Sequence, residues 1–210
     1  MSTSKDTPAR QPTIDKISDL PSSEAKWVTF QKINWTDQTG RQRVWEAAAR
    51  KTRGSSGVDA VAIAPILRHP SRPASTVILL QYRPPVGATC VELPAGLVDG
   101  GEKPEDAAVR ELMEETGYKG KVLSVSPTIV SDPGLTTANM QLAVVEVQLG
   151  EKDEEPEQHL DEGEHIQRVV VPLEELYERL IEYSKREGVI VDARLFHWAS
   201  GIEFARLGKL

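Results

Sequence analysis

The chain predicts an α/β domain preceded by a small antiparallel β domain, and three observations carry that expectation. Near-continuous apolar runs at residues 58–67 and 76–82 have the character of strands buried on both faces. Helical spacing of apolar residues recurs at 104–116, 173–186 and 192–207, so helices and strands intermix along the chain. Upstream, alternating segments at 26–35 and 41–51 flank Thr36-Asp37-Gln38-Thr39-Gly40, where Asp and Gly supply the chemistry of a hairpin turn.

Taken in order, residues 1–20 lack an apolar core and read as a disordered leader, not a targeting segment. The hairpin then defines a β domain over 21–56, closed by the flexible boundary Arg53-Gly54-Ser55-Ser56-Gly57. From residue 57 to 210 the main domain follows, with further strands expected at 91–93, 122–130, 140–149 and 166–171. The acidic stretch 151–164 reads as a solvated loop.

Composition narrows the function. No apolar run reaches the roughly 18 residues of a membrane span, so no membrane partner is expected. A net charge of −7 opposes a polyanionic nucleic-acid partner. The single cysteine, Cys90, lies among apolar neighbours and reads as a buried structural thiol, which fits a cytoplasmic and also a nuclear location. His69, His159, His165 and His197 show no zinc-ligand spacing.

The chemistry concentrates in residues 96–118, GLVDGGEKPEDAAVRELMEETGY. Pro104 suits a first helical turn, Glu105 and Asp106 suit its positive end, and Gly117 suits a left-handed cap. Between those limits Glu111, Glu114 and Glu115 stand at i, i+3 and i+4 and share one helix face. Like charges at that spacing repel, and a divalent cation relieves the repulsion. All-oxygen ligands favour a hard ion such as Mg²⁺, with Mn²⁺ as a substitute, and Mg²⁺ sites commonly add substrate phosphates. An isolated triplet of this kind would more often be a solvated acidic face.

The whole segment resembles the Nudix box, G-x5-E-x7-R-E-U-x-E-E-x-G-U, through Gly96, Glu102, Arg110, Glu111, Glu114, Glu115 and Gly117. Leu112 fills the first bulky position, and Tyr118 fills the last with an aromatic in place of the usual aliphatic. The resemblance implies an α/β/α sandwich with a mixed sheet. It further implies metal ligation by Glu111, Glu115, Glu114 and the carbonyl of Ala95, with Glu102 and Arg110 pairing to brace loop against helix.

Beyond the box, Pro133 stands 16 residues after Gly117 in Ser131-Asp132-Pro133-Gly134-Leu135, which resembles the ADP-ribose and ADP-sugar pyrophosphatases among Nudix hydrolases. The implied reaction is Mg²⁺-dependent hydrolysis of ADP-ribose or a related ADP-sugar to AMP and a sugar phosphate. On that resemblance Trp27 and Trp45 sandwich adenine, Glu46 hydrogen-bonds the base, Arg50 and Arg83 clamp phosphate, and Asp132 and Pro133 mark the sugar-specific loop. Backbone near Leu97 meets the terminal ribose. The residue types suit those tasks, since aromatic faces stack on bases and the guanidinium fork matches phosphate. The general base is assigned to Glu164 in the acidic loop, with Glu162 in reserve. The resemblance also implies a homodimer in which the N-terminal hairpin of one subunit completes the adenine pocket of the other.

Two other readings keep the same residues. One is a Nudix hydrolase of another nucleoside diphosphate derivative, against which Trp27, Trp45 and Pro133 speak. The other is a non-catalytic module that binds ADP-ribose, against which the intact Glu111, Glu114 and Glu115 speak.

Overall fold

A computed structural model describes residues 12–152 and 155–208; residues 1–11 of the expected leader lie outside the described residues. The hairpin pairs β1 (Val28–Thr36) with β2 (Gln42–Arg50) in antiparallel register, Ile33 opposite Trp45. Its turn is organised by Asp37, whose Oδ1 accepts from Thr39 N, Thr39 Oγ1 and Arg41 N while Oδ2 accepts from Arg43 Nε. Gly40 takes the left-handed φ of 81° that the turn needs.

The main sheet contains β3 (Ala60–Arg68), β4 (Ser75–Arg83), β5 (Ala88–Glu92), β6 (Ala95–Leu97), β7 (Lys121–Val125), β8 (Ile129–Val130), β9 (Asn139–Gln148), β10 (Ile166–Pro172) and β11 (Val189–Val191). Its principal order is β11-β5-β4-β3-β9-β7, with β10 on β4, β6 on β3 and β8 on β9. The pairs β3/β9 and β5/β11 are parallel and the others antiparallel, so the sheet is mixed.

Alternation along the strands divides the core into two layers. Val77 and Leu79 of β4 join Ala107, Ala108 and Leu112 of α1 (Pro104–Thr116) on one face. On the other face Ile78 joins Leu176, Leu180 and Tyr183 of α2 (Leu176–Ser184) and Leu195 and Ala199 of α3 (Ala193–Arg206). An α/β/α sandwich results. Leu112 is fully buried, which stabilises the α1 layer by roughly 2 to 3 kcal/mol.

Several boundaries differ from the expectation. The strand expected over 122–130 breaks into β7 and β8 around Pro127, which has no N–H to donate to a ladder. The helix expected over 173–186 begins three residues later, because 173–175 form a turn leaving β10. β6 and β11 are three-residue strands too short to show a period. The boundary at Arg53 is also braced: its Nε and Nη2 donate to the buried Asp59 carboxylate at 3.0 and 2.6 Å.

Candidate active site

Helix α1 has the limits its own sequence specifies. Pro104 opens it, Gly117 closes it at φ 76°, and Gly117 N donates to Met113 O at 2.8 Å. A β-carbon at Gly117 would come within 2.3 Å of the Glu157 carbonyl, so the cap is also a close packing point. His159 N donates to Glu114 O, and Gln158 Nε2 donates to Glu115 O. The acidic loop is thereby tied to the C-terminal turn of the helix.

The three glutamates of α1 have different surroundings. Glu115 is only 4% exposed and its Oε2 accepts from Ala95 N at 3.0 Å, which seats it beneath β6. Burial, followed by the charges of Glu111, Glu164 and Glu92, pushes its carboxyl from 4.5 up to about 8 against the opposing pull of the Ala95 N–H. Glu111 is raised in the same direction, chiefly by burial. Its carboxyl lies so close to β6 that a β-carbon on Gly96 would stand 1.9 Å from it, so any side chain there would push the Glu111 carboxylate from its place.

Arg110 binds this group together with all five of its N–H donors. Nε and Nη2 donate to the two oxygens of Glu102 at 3.0 Å, and Nη2 also donates to Leu97 O at 3.0 Å. Nη1 donates to Glu111 Oε1 at 2.8 Å and Glu114 Oε2 at 3.1 Å. Glu102 also accepts from Asp99 N, so the brace joins the loop to the helix. The carbonyl of Leu97 thus accepts one of the hydrogen bonds of this brace.

Glu164 is partly buried and Glu162 exposed. Glu164 accepts from Asp161 N at 3.2 Å, and its charge is felt by both Glu111 and Glu115. In this arrangement no three acidic, His or Cys groups among the described residues close around an ion. The expected ligands Glu111, Glu114, Glu115 and the Ala95 carbonyl would offer a divalent cation oxygen donors alone. Two of these carboxylates are held by burial and like charge in a state that a hard divalent cation would relieve.

The remaining candidates stand on β4, on β2 and in the loop after β8. Arg83 ends β4, and its Nε donates to Glu92 Oε1 at 2.8 Å. Trp45 Nε1 donates to Gly134 O at 3.0 Å, placing that indole beside Asp132 and Pro133, while Ala48 N and O bond Leu135 O and Thr137 N. Arg50 lines a hollow of about 560 Å³ with Ser131, Asn139, Met140, Asp192 and Arg194. Glu46 stands opposite Lys32 on the other face of the ribbon from Trp45.

Trp27 stands apart from Trp45 within the chain. It precedes β1, and its carbonyl accepts from Lys51 N at the far end of the ribbon. Trp45 faces Ile33, six residues further along β1, so the two indoles are rooted roughly 20 Å apart within one chain.

Some functional candidates escaped the sequence reading. Glu92 is buried beside the site, and Asp192 makes a bidentate pair with Arg194 at the start of α3. Their signal was a charged residue within or next to an apolar strand run, which does not by itself distinguish a buried acid from an edge residue. Cys90 is buried, and burial followed by the Glu92 charge lifts its thiol to about 11, which leaves it unreactive at neutral pH.

A NUDIX domain model matches residues 58–198, most of the main domain. The chain belongs to the Nudix family. Among similar proteins, this Nudix hydrolase is 39% identical over 208 residues to an ADP-ribose pyrophosphatase of Saccharomyces cerevisiae, covering 98% of this chain and 90% of the relative. It is 35% identical to an ADP-sugar pyrophosphatase of Mus musculus, with 87% and 84% covered, and 41% identical to an uncharacterised Nudix hydrolase of Schizosaccharomyces pombe, with 92% and 94% covered. A crystal structure of an ADP compounds hydrolase shares the fold at a TM-score of 0.57 and 19% identity, covering 97% of this chain and all of that one.

The raised carboxyl of Glu115 sets a stability prediction for metal-free protein. A carboxyl whose folded value exceeds its unfolded value binds more protons when folded. Its contribution to stability is therefore complete below 4.5 and is lost as pH rises to about 8. Thermal unfolding in a chelator should show Glu115→Gln gaining on the unsubstituted chain between about pH 4.5 and 8, by on the order of 5 °C. Added Mg²⁺ at the upper pH should restore the unsubstituted chain and not the variant. Parallel pH profiles for the two proteins would contradict the assignment.

Proposed function

We propose that this Nudix hydrolase cleaves ADP-ribose or a related ADP-sugar to AMP and a sugar phosphate with Mg²⁺. The observation that carries the reading is the convergence of Glu111 and Glu115 beneath β6, with the charge of Glu164 acting on both. Likeness over nearly the whole chain to the yeast ADP-ribose pyrophosphatase and the mouse ADP-sugar pyrophosphatase supports the substrate class. Glu111, Glu115, Glu114 and the Ala95 carbonyl would hold Mg²⁺, which when bound lowers the pKa of water and neutralises charge developing on phosphate. Glu164 takes the proton of the attacking water, Arg83 and Arg50 hold the pyrophosphate, and Arg110 keeps the helix and loop in register. Turnover of ADP-ribose, ADP-glucose, GDP-mannose, NADH and diadenosine polyphosphates, with and without Mg²⁺, tests this reading; preference for a non-adenine or dinucleoside substrate would overturn it.

The adenine pocket is assigned to a homodimer, in the cytoplasm and also in the nucleus. The separation of Trp27 and Trp45 supports it, because one base cannot lie between indoles rooted roughly 20 Å apart on a straight ribbon. Their exposures of 65% and 50%, beside Phe30 at 77%, leave a large apolar face for a partner. Two-fold pairing brings Trp27 of one subunit to Trp45 of the other. Mixing Trp27→Ala with Trp45→Ala under subunit exchange should then restore about one quarter of normal activity, since half the dimers are mixed and each has one intact pocket. No recovery despite demonstrated exchange would put both indoles of each pocket on one chain.

A further inference from the structure

A pyrophosphate approaching this site meets the negative charge of Glu92, Glu111, Glu115 and Glu164, and it needs a cation with donors to give. Arg110 cannot supply them, since its five N–H groups are engaged by Glu102, Glu111, Glu114 and Leu97. Arg194 directs Nε and Nη2 at Asp192 and Nη1 at the sulfur of Met140. Arg83 is different: only its Nε is used, by Glu92, and its side chain is 40% exposed. Its two terminal nitrogens make no hydrogen bond among the described residues.

The carboxylate that holds Arg83 is placed to fix it. Glu92 ends β5, its side chain is only 6% exposed, and its backbone is paired to Leu79 in the centre of the sheet. Leu79, Gln81 and Arg83 face Glu92, Cys90 and Ala88 across the same ladder, so the Arg83 side chain runs back over the sheet to reach Glu92. A guanidinium pinned at Nε by a rigid, buried acceptor presents its remaining edge in one plane. Burying a carboxylate is costly unless it is paired, and Arg83 is the only hydrogen-bond partner of the Glu92 carboxylate among the described residues.

The structure assigns Glu92 as a positioning residue that orients the free edge of Arg83 toward the substrate pyrophosphate. The assignment rests on the reading that Arg83 binds that group. It gives Glu92 no contact with the substrate: its charge also acts on Glu115, but the effect of its removal on substrate affinity passes through Arg83.

The test is a double-substitution cycle read as kcat and KM for ADP-ribose at saturating Mg²⁺. Glu92→Leu should raise KM about 10- to 100-fold with kcat changed only a few-fold, as for loss of one charge-assisted hydrogen bond. Glu92→Gln, which keeps volume and an acceptor for Nε, should lie between Leu and the unsubstituted chain, and it carries the cycle if the Leu variant folds poorly. In the Arg83→Ala background both Glu92 substitutions should have no further effect on KM. Additive losses, or a fall in kcat at unchanged KM, would overturn the assignment. A raised KM for Arg83→Ala with normal KM for the Glu92 variants would overturn it while leaving the role of Arg83 intact. A normal KM for Arg83→Ala would remove both.

Discussion

Glu115→Gln is expected to lower turnover of ADP-ribose by on the order of 10³-fold or more, even at saturating Mg²⁺, while the protein remains folded. The substitution preserves the shape of a side chain buried under β6 and keeps an oxygen to accept from Ala95 N. What it removes is one negative charge from the donor set, and a neutral amide is a poor ligand for a hard cation. Because burial already disfavours that charge, its loss relieves the metal-free fold. Loss of activity and gain of stability should therefore appear in the same variant. Steady-state kinetics beside circular dichroism and thermal unfolding decide the matter. Near-normal turnover would remove Glu115 from the metal-binding group.

Glu164→Gln should lower kcat by about 10² to 10⁴, with a much smaller change in KM, the range for losing a positioned general base. Glu162→Gln should remain close to the unsubstituted enzyme, because Glu162 is exposed while the charge of Glu164 reaches both Glu111 and Glu115. The reverse pattern would transfer the role to Glu162. A loss confined to KM would instead make Glu164 a binding group.

What could be read from the residues followed how local each determinant is. The limits of α1 are set by Pro104 and Gly117 themselves, so the expected helix over 104–116 and the observed Pro104–Thr116 coincide. The shared face of Glu111 and Glu115 follows from helical spacing alone. By contrast, the full reach of Arg110 required the fold. Pairing with Glu102 follows from the box and the bond to Glu114 from i, i+4 spacing, whereas the bond to Leu97 depends on where β6 crosses the helix. Glu92 shows the same limit, since an acid in an apolar run carries no mark of its burial until β4 supplies Arg83. The two-residue β8 is defined by its partner β9, and the single strand expected over 122–130 missed the break at Pro127.

The junction between Gly117 and the acidic loop separates two freedoms that would otherwise compete. Gly117 packs against Glu157, while Gln158 and His159 bond the last turn of α1. Residues 157–159 therefore form an anchor, and the chain from 160 to 165 leaves it carrying Glu164. Insertions or deletions before the anchor can accumulate without changing the reach of the base. A change of one residue after it alters the distance from Glu164 to the helix directly. A chimera that exchanges this loop between relatives should keep its activity when the graft ends before residue 156. Grafts that extend past the anchor must carry the C-terminal turn of α1 with them.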